Sequence, residues 1–472
     1  MSTRTVLLAV LLVLVGLQPV PALGFEGARR AVAVDPMPAS PAVVGDTAMP
    51  ALSPARGEAH IAPPAGALVE LTLRYAPPPD ELVALALRRA PSLAALAARV
   101  QEARELVRPA GALPDPMLEL MVQDVGFPRW TVGEEDMSMA GPQLTQGIPF
   151  PGKRGARRQA AQAEVAVRTS EFERLRREVA RDVRSLYARI HALDQEQQAL
   201  ASGRELLELL AATVRERYSA GTAEQEAAIK AQLAVSRLDE RLDDLIAERK
   251  ARVAAVNRYL DQPGDAPLGL VTTLPEAVVP PMPWEAAVVE NSPEVAVRRA
   301  ELQVAERRLR VARLERRPDL LAGAGVGLRG GKDPVITLRL GMDLPLWSAQ
   351  RQGSTIRAAE QDVEATRQAS RDAEAVARAE AARLEAEWQR ADGQVARYEQ
   401  TIVPRSSMAF DAARSSYLVG RGDFSTVIED FDLWLEARTG LARREADRFA
   451  TWAEVQAVTG SNGPGDGERS GR

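Results

Sequence analysis

Apolar side chains downstream of Gly155 fall at Val165, Phe172, Leu175, Val179, Val183, Leu186, Ile190, Leu193, Leu200, Leu207, Leu210, Val214 and Tyr218. Every step is three, four or seven residues. A stripe of that period sustained for so long is the pattern of a coiled coil. At 1.5 Å per residue a helix from Gly152 to Tyr218 would be ~100 Å long. A similar span runs from Ser348 to Tyr417, with Pro404 inside it, where the helix should kink or break. From Asp372 to Arg390 this second span is mostly Ala, Glu and Arg, which allows close packing against neighbouring helices.

Elsewhere the period drops to two. Residues 322–328 alternate small and apolar positions with glycine. Thr337, Arg339, Gly341 and Asp343 alternate with Ile336, Leu338, Leu340, Met342 and Leu344. Strands are predicted at Met117–Val125, Met137–Phe150, Asp319–Arg329 and Val335–Leu346. Each is near the ~9–11 residues that cross an outer membrane. One apolar and one polar face fits lipid outside and water inside; it also fits a half-buried soluble sheet. Phe127 and Trp130 lie toward one end of the hairpins, Phe150 and Trp347 at the other, two levels that suggest interfacial girdles.

The chain repeats itself. Pro91 and Pro293 each open a helical segment, and Ala103 matches Ala305, Pro116 matches Pro318 and Leu118 matches Leu320. Ile148-Pro149-Phe150 matches Leu344-Pro345-Leu346, and Arg217-Tyr218-Ser219-Ala220-Gly221 matches Ser416-Tyr417-Leu418-Val419-Gly420. The chain is therefore two copies of one unit, each reading helix, strand pair, very long helix, glycine turn, helix. The first copy is placed at 80–262 and the second at 284–460. A Pro-rich joint at 263–283 separates them, and a disordered tail at 461–472 follows.

At the N-terminus Arg4 precedes an apolar run, Val6 to Leu17, and Val20-Pro21-Ala22 fits a small-residue cleavage site. Residues 1–22 read as a signal peptide. Residues 23–79, rich in Ala, Pro and Gly, read as an extended linker. No later run is long and apolar enough for a membrane helix, which leaves a β-barrel open.

Composition narrows the chemistry. Sixty Lys+Arg against 65 Asp+Glu argue against a nucleic-acid binder. With no cysteine and two histidines, His60 and His191, thiol catalysis, a multi-histidine metal cage, a Ser/His/Asp set and a cysteine lipid anchor are excluded. No enzyme, cofactor or metal site is expected. Aromatics are only 4%, as suits narrow helical seams sealed by Leu, Val and Ala. Four strands cannot close a barrel alone, so the hairpins predict a barrel shared between chains.

The duplication, the paired Tyr-x-x-Gly turns and the order of elements resemble TolC-type outer-membrane efflux factors, over roughly residues 80 to 460. Leu-Pro-Asp-Pro-Met (113–117) and Gln-Gly-Ile-Pro-Phe-Pro-Gly-Lys-Arg (146–154) look like the first-copy strands of members paired with heavy-metal pumps. The resemblance implies a mainly α homotrimer: a twelve-stranded barrel in the outer membrane of a Gram-negative bacterium above a periplasmic helical tunnel. It implies a passive exit duct for heavy-metal cations or drugs. Its partners would be a periplasmic adaptor (membrane fusion) protein, an inner-membrane pump of the RND type, and outer-membrane lipid. The alternative is a periplasmic coiled-coil adaptor or scaffold without a pore, which would show one helical hairpin flanked by β-domains.

In that family the helical turns close the tunnel and dock the adaptor, which makes Arg217, Tyr218, Gly221, Tyr417 and Gly420 contact candidates. Structural capping by the glycines is the competing reading. The family's gate carries acids six and nine positions after the turn glycine. Here those positions are Thr426 and Glu429, so one of the two matches. With Asp423 and Asp430 nearby, three copies of Glu429 would make a carboxylate ring that attracts cations. A solvated helix start rich in acids is the plainer reading. Lys153, Arg154, Arg157 and Arg158 read as a charged helix start at the membrane joint. The GxGxxG at Gly325–Gly330 leads into a turn and another strand, not the helix a dinucleotide site needs. Met117, Met121, Met137, Met139 and Met342 read as lipid-facing or packing residues rather than soft-metal ligands.

Overall fold

A helix pair, a hairpin and two long helices succeed one another twice along the chain. The structure, a computed structural model, describes residues 75–221 and 224–460. The expected signal peptide, all but the last five residues of the expected linker, His60 and the expected tail lie outside the described residues. In the first half α1 (Pro79–Arg89) and α2 (Pro91–Ala110) lead into β1 (Met117–Gln123) and β2 (Met139–Ile148). The helices α3 (Lys153–Ser219) and α4 (Gln225–Leu260) follow. In the second half α5 (Glu285–Asn291) and α6 (Pro293–Leu314) lead into β3 (Leu320–Arg329) and β4 (Lys332–Met342). Then come α7 (Gln352–Arg397), α8 (Val403–Leu418) and α9 (Phe424–Thr459).

The stripe on α3 is the buried seam. Val179, Val183, Ile190, Leu193, Leu200, Leu207, Leu210 and Val214 are all buried. The upper half of α3 packs with α1 and α4 around Leu82, Val83, Val256 and Leu260. The lower half packs with α4, α8 and α9 around Leu238, Phe410, Phe431 and Leu435. The few aromatics concentrate there, the Phe410 ring lying 5.6 Å from both Phe431 and Trp434. Gly203 makes room, because a Cβ on it would lie 3.2 Å from the Phe431 ring.

In the second half Pro404 does not break the helix. A π-helical turn at Tyr398–Ile402 sits between α7 and α8. Pro404 has no N–H for the carbonyl four residues earlier, and the widened turn takes up that mismatch. Tyr398, inside it, lies against Gly440 of α9, where a Cβ would come within 2.7 Å of the ring.

The segment expected as a joint is an ordered strap across the helices. Tyr75 bridges Leu270. Buried Asp194 accepts the Val271 N–H at 2.8 Å and pairs with Arg249, which also donates to the Gly269 carbonyl at 3.0 Å. His191 Nδ1 meets the Val271 carbonyl at 3.0 Å, and Trp452 Nε1 donates to that of Val278 at 2.8 Å.

The four strands form one antiparallel sheet in the order β1-β2-β3-β4, so the two halves meet at the β2–β3 pairing. The strands begin and end within a few residues of the sequence expectation, β4 lying some three residues earlier than predicted. Both outer edges, β1 and β4, are without a neighbouring strand among the described residues.

Candidate functional site

Register decides what each face of the sheet is made of. Leu118, Leu120 and Val122 of β1 stand with Leu144 of β2, Ala324 and Val326 of β3 and Ile336, Leu338, Leu340 and Met342 of β4. This apolar face is bare: Leu340 is 88% exposed, Leu120 78% and Leu338 77%. The opposite face carries Glu119, Gln143, Thr145, Thr337 and Arg339 with Gly323, Gly325 and Gly327. A Cβ on Gly325 would touch Gln143 and one on Gly327 would strike the Met139 sulfur, so these β3 glycines are seats for side chains of β2. Ten-residue strands run ~33 Å at 3.3 Å per residue; tilted by ~40° they span the ~25 Å of an outer-membrane apolar band. Among the described residues no helix is long and apolar enough to cross a membrane.

Phe127, 98% exposed, and Trp130, 70%, lie in the loop between β1 and β2. Trp347, also exposed, and Phe150, half-buried beneath Arg317, follow β4 and β2 at the other end. Of the five methionines singled out in and beside the strands, Met342 stands on the apolar face, Met117 and Met121 stand on the polar face, and Met139 is buried over Gly327. Met137 is exposed in the loop before β2.

Where sheet becomes helix, Lys153 is 3% exposed and bonds Asp319 at 2.8 Å and Glu315 at 3.3 Å. Asp319 also accepts the Phe150 N–H at 2.7 Å. Burial pushes the Asp319 carboxyl up, but the bonds from Lys153 and Phe150 and the charges of Lys153 and Arg157 outweigh it, holding it below the usual carboxylate range. Arg157 bonds Glu315, and Arg154 donates to the Gly111 carbonyl. Two of the four basic residues that read as a charged helix start, Lys153 and Arg157, therefore tie the two halves together at the joint, while Arg154 holds α3 to the end of α2 within the first half.

At the far end of the helices lie the two turns. Gly221 (φ 71°) and Gly420 (φ 76°) adopt the left-handed conformation with open space where a Cβ would point. Both are free of steric crowding, so backbone conformation alone demands glycine there. Arg217 reaches across to donate to the carbonyls of Tyr417 at 2.9 Å and Leu418 at 2.6 Å, and its guanidinium lies 4.9 Å from the centre of the Tyr417 ring. Tyr417 is buried against Phe424. Burial pushes its phenol up, with Arg217 partly offsetting this. Tyr218, its repeat partner, is 45% exposed. Two exposed residues that sequence reasoning passed over, Leu418 and Val419, complete the surface of the turns. Their apolar character next to a turn glycine was the available signal.

Thr426, Glu429, Leu433 and Glu436 recur at helical spacing on α9 and are all exposed, opposite the buried stripe of Phe424, Val427, Phe431, Trp434 and Leu435. Asp430 lies to one side, half-buried, and Asp423 precedes the helix, exposed. Glu429 lines a cavity of about 640 Å³ between α4 and α9 with Lys230, Arg237, Arg241, Asp432 and Glu436. Lys230 bonds Glu226 at 2.7 Å and Ser425 at 3.0 Å. The bond to Glu226, with the nearby charges of Asp423 and Glu429, holds its ammonium above the usual lysine range. Lys230, some 200 residues away in sequence, shares the cavity with Glu429, a neighbourhood that the sequence did not reveal. Burial pushes the Asp432 carboxyl up, against the pull of Arg241 and Arg237.

A sequence model of the outer membrane efflux protein family matches residues 82–261 and 286–461, the two halves described above. The chain belongs to this family. It is thus an efflux protein of the outer membrane, and the periplasmic adaptor reading is not favoured. Among solved structures, the outer membrane protein VceC of Vibrio cholerae is 17% identical with a TM-score of 0.69, over 81% of this chain and 96% of its own. The open state of the MtrE outer membrane channel of Neisseria gonorrhoeae is 15% identical with a TM-score of 0.64, over 83% and 91%. The Campylobacter jejuni CmeC outer membrane channel is 12% identical with a TM-score of 0.63, over 81% and 85%. At such identities these structures share the fold. Comparison with curated protein sequences gives no match.

Proposed function

We propose that three copies of this efflux protein close a twelve-stranded barrel above a helical tunnel, forming the exit duct of a tripartite system. The observation that carries this reading is the open four-stranded sheet with one bare apolar face and two unpaired edges. Such a sheet is stable only when lipid covers the face and other chains cover the edges. The duct is passive and has no catalytic role. Phe127 and Trp130 on one side, Phe150 and Trp347 on the other, mark the two lipid interfaces. A periplasmic adaptor docks on the helical turns through Tyr218, Leu418 and Val419 around Gly221 and Gly420. Arg217 and Tyr417 brace those turns from within. An inner-membrane pump supplies the energy. Heavy-metal cations are the cargo favoured by the 113–117 and 146–154 segments.

Native mass measurement of protein extracted from outer membranes tests the assembly: a mass of three chains is expected, and a soluble monomer would refute it. Glu429, with Thr426 one turn away and Asp423 and Asp430 beside it, lines the tunnel entrance. Glu429→Gln should weaken cation selectivity and divalent block in planar bilayers. Unchanged values of both would remove Glu429 from the gate.

A further inference from the structure

The two free edges of the sheet carry opposite charges on the same face. Away from the hairpin end, where Arg329, Lys332 and Asp333 cluster, the four strands hold two charged residues: Glu119 on β1 and Arg339 on β4. Both are exposed, and among the described residues neither side chain has an ion partner. Pairing runs Glu119–Gln143–Gly325–Thr337 in one row and Met117–Thr145–Gly323–Arg339 in the next, so both charges stand on the polar face, one row apart.

We infer that Glu119 and Arg339 form the seam between neighbouring copies of this chain, the β4 Arg339 of one pairing with the β1 Glu119 of the next. This rests on the shared-barrel reading above and adds the side chains that pair across the meeting edges. Strand pleat fixes the parity: any seam that keeps the apolar face continuous shifts by an even number of residues, which keeps both charges on the water side. Long side chains reach a directly opposite or diagonal neighbour on the same face. The sign pattern also selects against wrong assemblies. Pairing β1 with β1, or β4 with β4, would set like charges together in a two-fold dimer. Only β4 with β1 joins unlike charges, and that contact is head-to-tail, the kind that closes a ring.

The chain has no cysteine, so the seam can be mapped directly in the full-length protein in its outer membrane. A short bis-maleimide should link chains carrying Glu119→Cys to chains carrying Arg339→Cys when the two are co-expressed, and neither variant to itself. Glu119→Arg and Arg339→Glu should each lower the fraction of trimer that survives detergent and heat several-fold. The double reversal should restore it. Self-linking of either cysteine variant would overturn the inference, as would single reversals without effect or a double reversal no better than the singles. A trimeric native mass alongside any of those results would leave the shared barrel standing and remove only this seam. A monomeric wild type would remove both.

Discussion

The two halves of this efflux protein descend from one unit, yet their long helices have diverged. In the first half α3 runs unbroken for 67 residues and its turn leaves Tyr218 exposed. In the second half the same length is interrupted by a π turn ahead of Pro404, and its turn buries Tyr417 beneath Arg217 of the first half. The second half also carries Asp423, Glu429 and Asp432. Duplication has left one copy as a strut and made the other the carrier of both the acidic cluster and the defect in the ladder. The strut holds the other copy at both ends, through Lys153 at the membrane joint and Arg217 at the turns.

The largest effect should come from cutting the upper hold. Lys153→Ala leaves Asp319 and Glu315 without their buried cation; breaking a fully buried pair costs about 3–5 kcal/mol, and the partial exposure of both carboxylates sets this loss at the lower end, about 3 kcal/mol. Thermal unfolding of the extracted protein should show the loss. Arg217→Ala cuts the lower hold, removing two charged hydrogen bonds, one of them solvent-exposed, worth about 1.5–3 kcal/mol together. Limited proteolysis should then cleave the Gly420 turn faster, with the Gly221 turn changing less; equal acceleration at both would break the asymmetry drawn here. Gly440→Val drives a side chain into the Tyr398 ring and should cost about 1–3 kcal/mol by overpacking. A matching drop in melting temperature is expected.

The smallest effect is confined to acid. Asp319 has a folded pKa below its unfolded value, so its contribution is complete above about pH 4 and is lost as pH falls through the depressed folded value. Wild-type melting temperature should therefore fall in that strongly acid window. The Lys153→Ala protein should show a flatter acid limb there. Equal slopes would show that the Lys153–Asp319 bond does not set the acid response.

What was legible in the chain was everything written in local period. The seam on α3, the duplication, the four strands and the parity of their faces all follow from spacings of three, four and two. Pro404 announced a disturbance, though not its form, because whether a helix kinks or widens depends on the neighbour it packs against. What stayed hidden were bonds between residues far apart, or to backbone groups, which have no side-chain signature. Arg217 meets carbonyls 200 residues away. The strap at 268–278 looked like a loose joint because its partners, Asp194, His191, Arg249 and Trp452, lie on other helices. Lys153 looked like one of several solvated basic residues, since nothing nearby in sequence shows that it is sealed against Asp319. Among the site candidates, the exposure of Tyr218 and the burial of Tyr417 could not be separated, because their local motifs match.

The open sheet has a consequence for how the protein is made. A chain waiting alone in the periplasm would present bare leucines on one face and unsatisfied backbone on two edges, the properties that drive strands to aggregate. In the three-chain barrel proposed above, strand formation and closure would be nearly simultaneous, and closure would need three chains at once. The yield of finished ducts should depend steeply on how fast chains arrive, and a cell that halves its supply would lose far more than half of its pores.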